Sequence, residues 1–298
     1  MTSFRPIEEQ AKSAVIKRTR HHVSRSQEMH FLGRKFIRSL GTENKYKSCI
    51  LTFLKWVSSS GFNTSRITIN VAQLFLLQGA TKWSQKTLDG YRQAICLVFD
   101  LRLDFVVSEK PTILLPRAYR DQQIQFLIES CSIRLSLAIE IAAFAGLRAV
   151  ELDTISAVTE SREDKRSWLS ERFEGMNDGV PYIVIGKGGL KRTVFLSVAL
   201  SNRLEVLAFE KPIQKTSRKI HYLKRYDLIG GQIFSQQFSR LSKKKFGWST
   251  GAHGLRHTYA QRRLNHLQSN GFLWKDAVEI VSQEMGHFSI SNTLTYFR

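Results

Sequence analysis

The stretch Ala252–Leu264, "AHGLRHTYAQRRL", decides how this chain is read. It sets two histidines and three arginines within thirteen residues. His253 and Arg256 are three apart, as are Arg256 and Tyr259. Residues at that separation share one face of a helix. An ordinary helix scatters its cations around a solvated face and keeps histidine rare. Here the spacing asks for a target that takes an imidazole and a guanidinium together.

The charge of the whole chain says what kind of target to look for. Forty-five Lys and Arg stand against 25 Asp and Glu, a formal net charge of +20 over 298 residues. Such an excess points to a polyanion, with nucleic acid first among the candidates. A merely basic soluble protein and ribosomal-type RNA binding are the other readings. Basic clusters lie at "KRTRHHVSR", "KPIQKTSRKIHYLKR" and "SRLSKKKFGW", three separate places in the chain. That distribution suits a protein that wraps its partner. Cys49, Cys96 and Cys131 are widely spaced in apolar surroundings, which predicts reduced, buried thiols rather than a metal or redox site. The N-terminus has no apolar signal segment. The longest apolar run, "LSLAIEIAAFAGL", contains Glu140 and is too short to span a bilayer. A soluble intracellular protein, with no membrane partner, is expected.

Working outward, residues 24 to 105 read as a bundle of helices. "SRSQEMHFLGRKFIRSL" has near-helical apolar spacing, with Ser26 as N-cap and Gly41 just past its end. "ENKYKSCILTFLKWVSSSG" places Ile50, Phe53, Leu54 and Val57 on one stripe and stops at Gly61. "TINVAQLFLLQGA" and "SQKTLDGYRQAICLVFDLRL" supply two more helices, the second opened by Ser84. Residues 1 to 23 read as a basic arm. "VVSEKPTILLPRAYR" has two prolines and no amphipathic period, so residues 106 to 118 read as a linker. In residues 119 to 298, "RDQQIQFLIESC" and "RLSLAIEIAAFAGL" read as helices, while "VPYIVIGKGGLKRTVFLSV" has two β-rich runs around a Gly-Lys-Gly-Gly turn, a β-hairpin pattern. Helical segments follow around "VALSNRLEVLAFE", "GQIFSQQFSRLSKKKF", the opening stretch and "WKDAVEIVSQEMG". The expected architecture is mainly α with a small β-sheet in the larger C-terminal part.

Four segments of that part stand out. "AGLRAVEL" ends an apolar helix and delivers Arg148, with Glu151 placed to hold the guanidinium. Lys187 sits at the hairpin tip in "IGKGGLKR". His253 and Arg256 follow, and then "MGHFSISNTLTYFR", where His287 precedes Tyr296 by nine residues. Taken singly, each has an ordinary explanation: a solvated helix-end arginine, a soluble turn lysine, a terminal aromatic. In this order they resemble the tyrosine recombinases, which include phage, Xer-type and integron integrases. The family pattern is "A-G-x-R-x-x-E-L", a hairpin "G-K-G", "H-x-L-R-H", then "L-G-H" and a Tyr nine residues on. Met285 stands where leucine is commoner. The resemblance spans residues 119 to 298 and extends more faintly to "LTFLKWVSSSGF" and "SQKTLDGYRQAICLVF".

The resemblance implies a SAM-like core-binding bundle followed by a mixed α/β catalytic domain. It implies cleavage and rejoining of double-stranded DNA at a specific recombination site, through a 3′-phosphotyrosine and a free 5′-hydroxyl. Tyr296 would be the nucleophile, and Arg148 and Arg256 the clamp on the non-bridging phosphate oxygens. Lys187 would protonate the leaving 5′ oxygen, with Lys191 the alternative; His253 would be the acid/base and His287 a phosphate hydrogen-bond partner. Glu151 is a supporting residue. Tyr259 reads as core, His257 as a local hydrogen-bonding residue, and Arg262 and Arg263 as phosphate contacts or solvated charge. No Cys/His cluster, carboxylate pair or phosphate-cradling loop suggests a metal or cofactor. A DNA-binding relative that lost catalysis and a type IB topoisomerase share parts of the pattern. The resemblance also implies a cytoplasmic, bacterial, nucleoid-associated protein of a mobile genetic element, acting as a tetramer on DNA. Two departures from the family bear on this. Residues 154 to 180, between Arg148 and Lys187, are longer than in compact members, which predicts a charged loop or extra strand that leaves the active site unaffected. The sequence ends two residues after Tyr296, which predicts a monomer in solution that assembles only on DNA.

Overall fold

The computed structural model describes residues 5–21, 35–176, 178–217 and 220–297, with the side chains of Lys187, Ser217 and Ile220 outside that description. The chain divides into two compact units, the first ending at Ile113 and the second beginning at Leu114.

The first unit is helical: α1 (Ile7–Lys17), α2 (Leu40–Ser59), α3 (Ile69–Gly79) and α4 (Gln85–Phe99). Ile50, Phe53, Leu54 and Val57 form the buried stripe of α2, as their spacing predicts, and pack with Phe75 and Leu76 of α3 and Ile95 of α4. The chain before α2 departs from expectation. Residues 7–17 are not an arm, because Ala11 and Val15 bury their side chains in this core. Gly41 does not end a helix: it lies in the first turn of α2, where the Ser39 hydroxyl caps the Thr42 N–H at 3.2 Å. Ile37 pairs instead in a short parallel bridge with Thr19. The expected helix start at Ser26 lies outside the described residues. Val106, the first residue of the predicted linker, is buried in the same core, and this unit runs on to Ile113.

The second unit runs α5 (Asp121–Glu129), α6 (Ile133–Phe144), β1 (Ser156–Ala157), β2 (Gly179–Ile185), β3 (Lys191–Ser197), α7 (Val198–Glu205), β4 (Ala208–Ser217), β5 (Ile220–Tyr226), α8 (Gly231–Phe246), α9 (His253–Ser269), α10 (Trp274–Glu284) and α11 (Ile290–Leu294). β1, β2 and β3 form an antiparallel sheet in that order, and β4 pairs antiparallel with β5. The β4–β5 hairpin was unforeseen. Its residues Lys211, Lys215, Lys224 and Arg225 mask the strand alternation in the sequence, and "VALSNRLEVLAFE" is helical only as far as Glu205. The apolar run of α6 is buried on almost every face, which is why its amphipathic period is faint. Among the described residues the three cysteines are free and half-buried rather than fully buried.

One close approach positions α9. A Cβ at Gly254 would lie 2.3 Å from Thr250 Oγ1, 2.5 Å from the Tyr119 ring and 2.6 Å from the Arg117 carbonyl. Only glycine lets the segment around Arg117 and Tyr119 lie along the start of this helix. Reciprocal hydrogen bonds hold it there: the Tyr119 N–H donates to Thr258 Oγ1 at 2.9 Å, and that hydroxyl donates to the Tyr119 carbonyl at 2.8 Å. The helix start that presents His253 and Arg256 is therefore fixed by backbone contact.

Candidate active site

Glu151 is the electrostatic centre of the site. It follows α6 in a short helical turn, is 0 % exposed, and is surrounded by three guanidinium groups. Its Oε1 accepts from Arg148 Nη1 at 2.6 Å, and its Oε2 from Arg192 Nη2 at 2.8 Å and from the Arg148 backbone N–H at 2.8 Å. Arg256 Nη1 lies 3.9 Å from the same Oε2. Burial alone would raise this carboxyl, but the charges of Arg192, Arg256 and Arg148 outweigh it and bring the pKa to about 2.

Arg256 is also wholly buried. Its Nη1 donates to the Gly146 carbonyl and its Nη2 to the Met285 carbonyl, so the chain just past two helix ends dictates where the guanidinium points. Burial, and then Arg148, lower its pKa to about 10, which leaves it charged at neutral pH. Gly146 stands at φ 60°, where the chain leaves α6, and a Cβ there would lie 2.4 Å from the Tyr259 ring. The glycine of "AGLR" thus serves both the turn and the seating of α9.

The structure brings His287 and Tyr296 to the two arginines. His287 Nε2 lies 2.9 Å from Arg148 Nη2 and 3.4 Å from Arg256 Nη2. Since guanidinium only donates, Nε2 is the accepting nitrogen, and Nδ1–H donates to Thr293 Oγ1 at 2.9 Å. Burial and the charges of Arg256, Arg148 and Arg192 push this imidazole down to about 3, so it is neutral. Tyr296 is 5 % exposed, and its hydroxyl accepts from Arg256 Nε at 3.4 Å. His253 opens α9 on the exposed side, with its ring 5.3 Å from that of Tyr296. Desolvation of its inner edge, with Arg256, Arg117 and Arg148, lowers it to about 4. His257, buried behind it, brings its ring within 4.6 Å of Tyr296.

Lys187 belongs to the turn between β2 and β3, which closes with a hydrogen bond from the Gly186 N–H to the Leu190 carbonyl at 2.7 Å. Gly188 and Gly189 follow at φ 79° and 83°, a left-handed pair that only glycine adopts freely. The lysine side chain lies outside the described ones, but the turn adjoins the site. A Cβ at Gly186 would lie 3.0 Å from Glu151 Oε1 and 3.6 Å from Arg148 Nη1.

Several residues take other places than the sequence reading gave them. Arg263 is neither a phosphate contact nor solvated: it is buried against Glu284, with Nη2 and Nε at 2.7 and 3.0 Å from the two carboxylate oxygens. Arg262 is exposed, as the solvated-charge reading expects, and pairs with Asp121 at 3.0 Å. Tyr259 is buried as expected, and its hydroxyl donates to Glu284 at 2.8 Å. Arg192 and Glu284 were missed. The alternation of β3 is the signal for Arg192, since it falls on the buried face with Val194 and Leu196. The segment between Arg148 and Lys187 is not independent of the site: Leu169 N–H donates to Gln283 Oε1 at 2.7 Å, and Phe173 N–H to Glu284 Oε1 at 2.9 Å. A cavity of about 520 Å³ beside α9 is lined by residues including Met176, Arg262 and His266, and by none of the six candidates. Among the described residues no group of three His, Cys, Asp or Glu is placed to hold a metal, and no helix is long and apolar enough to cross a membrane.

The sequence matches no family profile and no curated protein. Its fold does match solved structures. XerH site-specific recombinase, in a post-cleavage complex with a palindromic difH substrate, matches with a TM-score of 0.56 at 18 % identity, over 86 % of this chain and 76 % of that one. A lambda integrase tetramer bound to a Holliday junction matches with a TM-score of 0.54 at 17 % identity, over 99 % and 81 %. A lambda integrase dimer bound to a COC' core site matches with a TM-score of 0.51 at 18 % identity, over 100 % and 82 %. The fold of this chain is that of XerH site-specific recombinase and lambda integrase.

Proposed function

We propose that this chain is a site-specific recombinase that cleaves and rejoins double-stranded DNA through a covalent phosphotyrosine at Tyr296. The observation that carries this is the meeting of four side chains from three separate segments. The Tyr296 hydroxyl, the Arg256 and Arg148 guanidinium groups and the His287 imidazole form one continuous run of contacts of 3.4 Å or less. Attack by the Tyr296 oxygen on the scissile phosphorus forms a P–O(aryl) bond and breaks the bond to the 5′ oxygen. The phenol proton goes to His253, which is neutral and beside the tyrosine ring. Lys187, on the turn adjoining Arg148, gives a proton to the departing 5′ oxygen. Arg148 and Arg256 hold the two non-bridging oxygens, where charge accumulates in the transition state. The phosphodiester energy is kept in the aryl phosphate, so rejoining needs no nucleotide. No metal or cofactor takes part in this scheme. The fold likeness to XerH on difH and to a lambda integrase tetramer on a Holliday junction supports DNA as substrate and four copies as the working assembly.

The test uses nicked suicide duplexes built from DNA flanking the gene. The wild-type chain should form a covalent protein–DNA adduct in excess EDTA and without ATP. Tyr296→Phe should bind the same DNA and form none. An adduct with the phenylalanine variant removes Tyr296 from the role, and a requirement for Mg²⁺ in the cleavage step overturns the scheme.

A further inference from the structure

On the recombinase reading, we infer that Glu284 is a positioning residue that clamps the segment Glu163–Met176 to the turn Met285–His287, and so holds Arg256 and His287 at the phosphate. Glu284 is the last residue of α10 and 1 % exposed. Four donors saturate its carboxylate. Oε1 accepts from Phe173 N–H at 2.9 Å and Arg263 Nη2 at 2.7 Å, and Oε2 from Tyr259 Oη–H at 2.8 Å and Arg263 Nε at 3.0 Å. Its carbonyl accepts from Arg192 Nη1 at 2.6 Å, and the other arm of that guanidinium reaches Glu151. The next carbonyl, that of Met285, accepts from Arg256. Gly286 then turns the chain at φ 71° into His287, and a Cβ there would lie 2.9 Å from Arg192 Cδ. The turn thus has no slack, because the carboxylate anchors one side and the arginines take the carbonyls of the other.

A second, independent observation concerns the segment itself. Phe173 stands at φ 67°, a left-handed conformation that is costly for a bulky residue and persists only where the surroundings over-determine it. Its N–H is aimed at Glu284, and its ring lies 4.7 Å from Phe195 of β3. Farther along, Trp168 packs at 4.8 Å on Phe288, the residue after His287, and Leu169 bonds Gln283. Arg172 and Glu163 close the segment on itself at 2.8 Å. A mere surface connection needs neither a strained residue nor a saturated buried carboxylate. This segment grips the active-site turn from both sides.

The experiment uses the full chain and a suicide duplex. Glu284→Gln keeps the size and the oxygen that faces Phe173 but removes the charge and one acceptor. Misplacing catalytic groups by a fraction of an ångström slows chemistry while leaving ground-state contacts, so single-turnover cleavage at saturating DNA should fall about tenfold or more with affinity kept within about threefold. The ring-nitrogen NMR resonances of His287 should shift in the DNA-free variant, which general destabilisation of a still-folded chain does not produce. A folded Glu284→Gln that cleaves within about twofold of wild type, or whose His287 resonances stay in place, overturns the inference. Should that variant not fold, Arg192→Lys tests the carbonyl side: loss of cleavage without loss of binding is expected, and wild-type cleavage overturns the inference. A wild-type chain that forms no adduct sinks the recombinase reading and this inference together, whereas a normal wild-type adduct beside an unaffected variant sinks the inference alone.

Discussion

Replacing Glu151 by Gln should cost about as much stability as any single isosteric change in this chain, and the structure gives the magnitude in two ways. The carboxyl falls from an ordinary 4.5 to about 2 although it is fully buried. At roughly 1.4 kcal/mol per pH unit, the folded state favours the charged form by about 3 kcal/mol. Independently, removing one partner of a buried ion pair costs about 3–5 kcal/mol, because the remaining charge stays buried without its counter-ion. Here three guanidinium groups would be left, those of Arg148, Arg192 and Arg256. Urea unfolding of wild type and Glu151→Gln at neutral pH should therefore differ by about 3 kcal/mol. The sign of the pH dependence follows from the lowered pKa. Between about 4.5 and about 2 the unfolded chain binds a proton at this position that the folded chain does not. The wild-type advantage is thus full above about 4.5, shrinks as the pH falls, and is gone near 2. A difference below about 1 kcal/mol at neutral pH, on the scale of a solvated surface pair, would refute the claim that Glu151 organises the arginines.

Arg148→Ala and Arg256→Ala should each slow suicide-substrate cleavage about a hundredfold or more, the scale of a lost oxyanion donor. Single-turnover rates check this, and a loss under tenfold removes that arginine from the clamp. Lys187→Ala should recover markedly on a 5′-phosphorothiolate substrate, whose leaving group needs no proton; if it does not, Lys191 is the next candidate acid. Affinity for duplex DNA should fall steeply with salt, each neutralised phosphate contributing about −0.9 to the log–log slope. A titration slope shallower than about −3 would mean that the +20 charge is not spread along DNA.

How much of this was legible depended on whether a residue's role is local in sequence. The buried stripe of α2 was readable because a helix buried on one face repeats its apolar residues at fixed intervals. The β2–β3 hairpin was readable because its Gly-rich turn lies between two β-rich runs. Residues 7–17 were misread, since only Ala11 and Val15 of that helix are fully buried and its charges suggest an arm. The β4–β5 hairpin was missed because cations occupy so many of its positions. Within the site, Arg148 and Glu151 are three apart and could be paired on paper. Arg192 and Glu284 could not. Arg192 meets Glu284 across 92 residues and Glu151 across 41, and Arg263 looks like any helix-surface cation until α10 is laid against it. Spacing predicts neighbours on one element, whereas the partner of a buried charge is chosen by how elements pack.

The same packing constrains how the site meets DNA. His287 is assigned by the family resemblance to donate to the phosphate, yet in this structure its Nε2 accepts from Arg148 and its Nδ1–H is committed to Thr293. Donation from Nε2 therefore requires that Nε2 carry a proton, in the imidazolium or in the other neutral tautomer with Nδ1 accepting from the Thr293 hydroxyl. Burial first, and then the arginines, hold His287 down to about 3, and the charge of the arginines exceeds that of the single carboxylate among them. A phosphodiester between Arg148 and Arg256 would offset that positive charge and raise the imidazole toward its ordinary range. On the proposed reading, His287 turns from acceptor to donor only when DNA is bound, by protonation or by tautomer exchange with Thr293. The arginines need no such change. Arg256 is already aimed by the Gly146 and Met285 carbonyls, so its reorganisation is completed when the protein folds rather than when the strand is cut.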